Sequence, residues 1–136
     1  YNSLYDALDL DYSNLIIDNI DIKKAGNDCI DLSSGDSIFS DVDLSGCGDK
    51  GISLGEESRS TFNVVNITNS KIGVAVKDSS QSVIDTIKII NTPICASAYN
   101  KKQEFWGGLL TILNYECDSR TISQQSGSLI KVNHEF

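Results

Sequence analysis

The sequence predicts an all-β solenoid of about five to six stacked coils, each about 22 residues long. Three observations predict it. Apolar residues recur at a fixed interval, they alternate with other residues at period two, and corner-forming residues separate the alternating runs.

The interval comes first. Leu8, Ile30, Ile52, Val74 and Ala96 each follow the one before by 22 residues. They sit in "DALDLDYS", "DCIDLSSG", "KGISLGEE", "IGVAVKDS" and "ICASAYNK", and each segment has the apolar, other, apolar alternation of a short strand. A second column is read as Ile17, Phe39, Phe62, Ile84 and Leu110. A third is Ile20, Val42, Val65, Ile87 and Leu113, and a fourth Ile22, Leu44, Ile67, Ile89 and Tyr115. Steps of 22, 23, 22 and 26 place one inserted residue near Arg59 and about four in "NKKQEFWGG". "TISQQSGSLIKVN" adds a partial sixth coil, in which Ile122 and Ile130 continue two ladders.

The corners are "KKAGND", "SGCGDK" and "TNSK", rich in residues that tolerate tight or left-handed turns. No 3.6-residue period supports helical repeats, and the L-x-x-L-x-L-x-x-N spacing of leucine-rich repeats is absent. The pattern fits a parallel β-helix with aliphatic ladders inside, and residues 1–136 form one domain. Each coil buries its core only against its neighbours. The opening "YNSLYDALD" offers no amphipathic capping helix, and the chain has no Met. The expectation is a piece of a longer protein, or a subunit that associates end to end.

Composition narrows the function. A formal charge of -8 argues against nucleic acid, whose phosphates need Lys and Arg. No apolar run approaches the roughly 18 residues of a membrane span, so membrane insertion is not expected. Cys29, Cys47, Cys95 and Cys117 form no C-x-x-C pair and His134 is the only histidine, so zinc is not expected. The four are expected as buried thiols packing as small apolar groups, with disulfides allowed but not required.

Taken in order, "DALDLDYS", "GNDCIDLS", "GDKGISLGE", "IGVAVKDSS" and "SAYNKKQEF" resemble the right-handed parallel β-helix domains of the pectate-lyase-like superfamily. They are most similar to those in bacterial surface proteins with spore-coat protein H kinase-like modules. The resemblance covers Asp6 to Tyr115 and implies a right-handed coil and an extracellular or cell-surface setting. It does not carry over catalytic residues. The N-T-D, D-D, G-H-G and R-x-K motifs of polygalacturonases are missing, as is the D-P-H-E of mannuronan epimerases. Only Arg59 and Arg120 could serve as a pectate-lyase arginine, and both fall at insertions or turns.

Candidate chemistry then lies where coils differ. One step past the first ladder, Asp9, Asp31, Ser53, Ala75 and Ser97 point outward; three steps past it come Asp11, Ser33, Gly55, Lys77 and Tyr99. Asp9 therefore stacks on Asp31, with Asp11 nearby, and like charges opposed across strands destabilise a sheet. Calcium on Asp9, Asp11 and Asp31 would offset this with oxygen ligands, as would a shared proton or plain solvation. Lys77 could act as a base beside such a carboxylate, and Asp9 and Asp31 could mimic the paired carboxyls of a retaining glycosidase. Lys50, Glu56, Glu57, Lys77 and Asp78 equally suit surface ion pairing. "DLDYSN" fails as an EF-hand, with Asn14 at the glycine position and Ile20 at the glutamate. "GCGDKGISL" lacks the G-K-[ST] of a phosphate loop. The insertion Tyr99–Gly108 carries Tyr99, Lys101, Lys102, Phe105 and Trp106, read either as a ligand-binding loop or as a lid folded back over its coil. Asn66-Ile67-Thr68 is a glycosylation sequon, weak by itself.

Three functions follow as expectations. The first is a non-catalytic module of a surface or secreted protein, presenting a rigid face to carbohydrate or protein. The second is a polysaccharide lyase or hydrolase using Asp9, Asp31 and Lys77. The third is a structural spacer or end-to-end stacking subunit. Calcium is the one cofactor expected.

Overall fold

The computed structural model describes residues 2–136 and contains only strands, turns and connecting segments there. In chain order the strands are β1 (Asn2–Ser3), β2 (Leu8–Asp11), β3 (Leu15–Ile22), β4 (Lys24–Ala25), β5 (Ile30–Ser33), β6 (Asp36–Ser45) and β7 (Lys50–Gly55). They continue as β8 (Arg59–Thr68), β9 (Ile72–Lys77), β10 (Gln81–Ile90), β11 (Ile94–Tyr99), β12 (Leu109–Cys117), β13 (Ile122–Gln124) and β14 (Leu129–Glu135).

Apart from the two-residue strands β1 and β4, which pair with each other, short and long strands alternate along the chain and segregate in space. The short ones form one six-stranded sheet in the order β2-β5-β7-β9-β11-β13, and the long ones a second in the order β3-β6-β8-β10-β12-β14. Every pairing is parallel, and each strand pairs with its counterpart one coil away. This is the six-coil parallel solenoid that the 22-residue period predicts.

The first ladder is as expected: Leu8, Ile30, Ile52, Val74, Ala96 and Ile122 are successive register partners. The other three hold through the fourth coil and then depart from the reading. Ile84 faces Ile112, not Leu110; Ile87 faces Tyr115, not Leu113; Ile89 faces Cys117, not Tyr115. Leu110 lies opposite Ser82 and continues to Ile130, while Ile112 continues to Val132. The loop before β12 therefore holds six extra residues rather than four. Four and six are both even, so each preserves the inward and outward alternation that was read.

The interior is mainly aliphatic, with Phe39 and Phe62 stacked at 4.8 Å between ring centroids within it. The short-sheet corner recurs at Tyr12, Ser34, Glu56 and Asp78, all with left-handed backbone. Glu57 and Ser79 share that conformation, which is uncommon without glycine, so the corners are held by the coil above and below. Glu57 N–H, for example, donates to the Asp78 carbonyl at 2.9 Å.

The cysteines are paired rather than free. Cys29–Cys47 and Cys95–Cys117 are disulfides, 18 and 22 residues apart. Each closes a single coil, joining the start of its short strand to the end of its long one.

Candidate functional site

The outer face of the short-strand sheet brings the predicted columns together. Asp9, Asp31 and Ser53 are successive register partners, and Lys77 pairs with Tyr99. A further outward column leads into the strands: Asp6, Asp28 and Lys50, at intervals of 22. The Asp6 carboxylate accepts the Asp28 N–H at 2.8 Å, and the Asp28 carboxylate accepts the Lys50 N–H at 3.1 Å. Each aspartate thus pins the coil above it.

These columns converge on Asp31. Asp6, Asp28 and Asp31 can each place a carboxylate oxygen within 4.8 Å of the other two. Such oxygen donors are of the kind that hard cations take. Asp9 is the register partner of Asp31, whereas Asp11 lies exposed opposite Ser33. Burial lifts the Asp31 carboxyl to about 6; Asp28, Asp6 and Asp9 add to this, and Lys77 opposes it. Asp28 is raised as well, by burial first, despite the nearby Lys50 ammonium at 3.8 Å. Lys50 is itself held above its usual range, because its pairing with Asp49 and Asp28 outweighs its own burial.

Lys77 behaves in the opposite way. Burial pushes its ammonium below the usual lysine range, with Asp31 resisting the shift. Its Nζ donates to Ser53 Oγ at 2.7 Å, one coil back and one outward column across from its own strand position. It reaches there by crossing Gly55, where a Cβ would lie 3.3 Å from Lys77 Cε. Ser53 and Ala75, though on the outer face, are 1% and 0% exposed, so longer side chains have folded down over a floor of small residues. Burial also raises the Tyr99 hydroxyl, in a field that includes Lys50 and Asp49. A half-buried carboxyl and a desolvated amine on one face, each in the other's electrostatic field, can bind a polar ligand or serve it as acid and base.

The inserted loop stands next to this cluster and is firmly held. Asp78 is 1% exposed, and its Oδ1 accepts the Lys101 and Lys102 N–H groups at 2.7 and 2.9 Å. The Asn100 amide donates to the carbonyls of Lys102, Phe105 and Trp106. Lys102 Nζ pairs with Glu56. Trp106 N–H donates to Ser79 Oγ at 2.7 Å, and the Trp106 carbonyl accepts the Ser79 N–H at 2.9 Å. Phe105 is the ring that tucks in; Trp106 is not a lid, since it is 85% exposed.

Of the predicted residues, then, Asp9, Asp31, Lys77 and Tyr99 share one face, with Lys101, Lys102, Phe105 and Trp106 on the loop beside it. Asp6, Asp28 and Ser53 were not singled out. The recurrence of aspartate at positions 6 and 28 was the available signal for two of them; for Ser53 it was its place in the outward column after Asp9 and Asp31.

A parallel coil of two main sheets with a polar cluster on one outer face defines the class: a parallel β-solenoid. The profile of the right-handed beta helix region matches residues 7–134, and the chain belongs to that family. Neither the curated proteins nor the solved structures contain a match to it.

Proposed function

We propose that this chain is the recognition module of an exported protein and binds carbohydrate on the outer face of its short-strand sheet. One observation carries the reading: Trp106 presents its ring to solvent from a backbone fixed on both its N–H and its carbonyl. A large rigid ring held ready costs little ordering when a sugar stacks on it. Lys101 and Lys102 flank it, and the Asp31 and Lys77 cluster supplies polar contacts nearby. Two disulfides support an oxidising, extracellular or cell-surface setting.

Trp106 is the only tryptophan, so its fluorescence reports directly on the site. Titration with acidic and neutral oligosaccharides should shift or quench that emission, and Trp106→Ala should abolish binding measured by calorimetry while leaving the melting temperature unchanged. Emission indifferent to every saccharide tried, together with unaltered binding by the variant, rejects the reading. Calcium, expected on Asp9, Asp11 and Asp31, joins it only if the melting midpoint climbs with calcium concentration.

The opposite shifts of Asp31 and Lys77, each in the other's electrostatic field, favour a second reading, a polysaccharide lyase or hydrolase that uses these two groups for proton transfer. Chain cleavage of a uronate polymer, lost in Asp31→Asn, would favour this over simple binding.

A further inference from the structure

The long-strand sheet has an outer face of its own, away from the cluster just described. Two outward columns run along it. One is Asn14, Asp36, Arg59 and Gln81; the other is Ile16, Ile38, Thr61 and Val83. Between them lies a groove of about 640 Å³, floored by Ser37, Ser60 and Ser82. Ile16, Ile38 and Val83 are 77%, 51% and 43% exposed. Asp36 and Arg59 are exposed too, and neither forms an ion pair among the described residues. An apolar stripe broken only at Thr61, beside two opposite charges that are register partners on adjacent coils yet form no ion pair with each other, marks an interface rather than a solvated face.

The order of residues along the groove identifies the partner. The four coils that line it form a pattern that matches itself in reverse. Turned end for end about an axis between the second and third coils, Asp36 meets Arg59, Ile38 meets Thr61, Ile16 meets Val83, and Asn14 meets Gln81. Acid meets base, amide meets amide and Ile16 meets Val83, while Ile38 meets Thr61, which offers it a methyl group. The same turn also suits the charge of the whole molecule. Residues 1–45 carry ten carboxylates against two lysines, while residues 46–136 carry nine acids against nine Lys and Arg. Coil laid on like coil would set Asp36 against Asp36 and the acidic N-terminal coils against themselves. Reversal sets the acidic coils against balanced ones.

We propose that this groove joins two copies of the chain in an antiparallel, two-fold dimer, each Asp36 pairing with the partner's Arg59. A two-fold contact closes on itself and stops at two copies. It leaves the outer face of the short-strand sheet outside the contact, so it does not depend on the carbohydrate reading.

Light scattering after size exclusion should give twice the 14.8 kDa chain mass for the wild type. Ile16→Asp should give a monomer that still unfolds cooperatively, since the side chain is largely in solvent, and whose melting point no longer rises with protein concentration. D36R and R59D should each be monomeric by like-charge repulsion. An equimolar mixture of D36R and R59D should recover the dimer, because both contacts of the mixed pair are then oppositely charged. That recovery cannot arise from a folding effect within one chain. A wild type that stays monomeric at every concentration overturns the proposal, as does a mixture that fails to associate. A mass that keeps growing with concentration would instead mean association through the open ends, and also overturns it.

Discussion

Replacing Asp31 by asparagine should change how stability depends on pH. Burial holds this carboxyl at about 6 against an ordinary 3.8, with Asp28, Asp6 and Asp9 pushing the same way. The folded chain therefore keeps a proton that the unfolded chain has lost. Its stabilising contribution is complete below pH 3.8 and gone above pH 6, so wild-type stability falls as pH rises through that window. The full interval corresponds to about 3 kcal/mol. Asp31 is only partly buried, and solvent screening reduces the effect to roughly 1.5 kcal/mol. The other carboxylates contribute similarly to wild type and D31N, so the difference between the two proteins isolates this group. Urea unfolding of both, from below the lower value to above the upper one, should show the wild type losing about 1.5 kcal/mol relative to the variant. Parallel curves would refute the reasoning. A gap that widened in favour of the wild type would mean that Lys77 holds the carboxylate charged, against the crowding of Asp6, Asp9 and Asp28.

The remaining predictions concern the frame and the path of Lys77. The paired replacement Cys95→Ala and Cys117→Ala releases a 22-residue loop and should lower unfolding stability by about 3 kcal/mol. Urea unfolding with and without reductant checks it, because the variant should no longer respond to reductant through this bond. Gly73→Ala would bring a Cβ to 2.4 Å from the Cys95 carbonyl oxygen and 2.8 Å from Ile89 Cδ1, forcing a backbone shift that costs about 1–3 kcal/mol in thermal unfolding. Gly55→Val should push Lys77 off Ser53 and return its amine toward 10.5, read by NMR titration of methylated lysines. An unmoved titration would mean that Lys77 does not need that path.

The ladders were legible because burial repeats at every coil and leaves the same residue types 22 apart. Their shift at β12 was not legible, since an even insertion of any length keeps the alternation intact. Only hydrogen-bond register separates Leu110 from Ile112 as the partner of Ile84. The disulfides were hidden for a related reason. Cys29 and Cys47 occupy different columns, and they meet because a coil returns to its own starting corner, which linear spacing does not express. At the site, stacking of Asp9 on Asp31 follows from period alone. Contact between Lys77 and Ser53 does not, because a flexible side chain crosses Gly55 to change columns. Exposure of Trp106 depends on how Asn100, Asp78 and Ser79 fasten the loop, a matter of hydrogen-bond geometry rather than residue type.

In a solenoid every coil offers the same backbone, so chemistry can only enter through departures from the repeat. The outer face here changes character between the second and third coils. Asp6 and Asp28 are followed in their column by Lys50; Asp9 and Asp31 are followed by Ser53; Ser33 and Gly55 are followed by Lys77 and Tyr99. Long basic and aromatic side chains therefore stand one or two coils above small ones, with carboxylates just below. The small residues make room, and the long ones fold back into it toward the acidic coils. That displacement desolvates Lys77 and Asp31 together, which accounts for their opposite shifts by a single cause. The fold does not require this arrangement: none of Ser53, Gly55, Lys77 or Tyr99 belongs to an interior ladder. Under the proposed binding function, a face that buries charge at some cost to stability, where the repeat would permit a neutral one, is the face the ligand would meet.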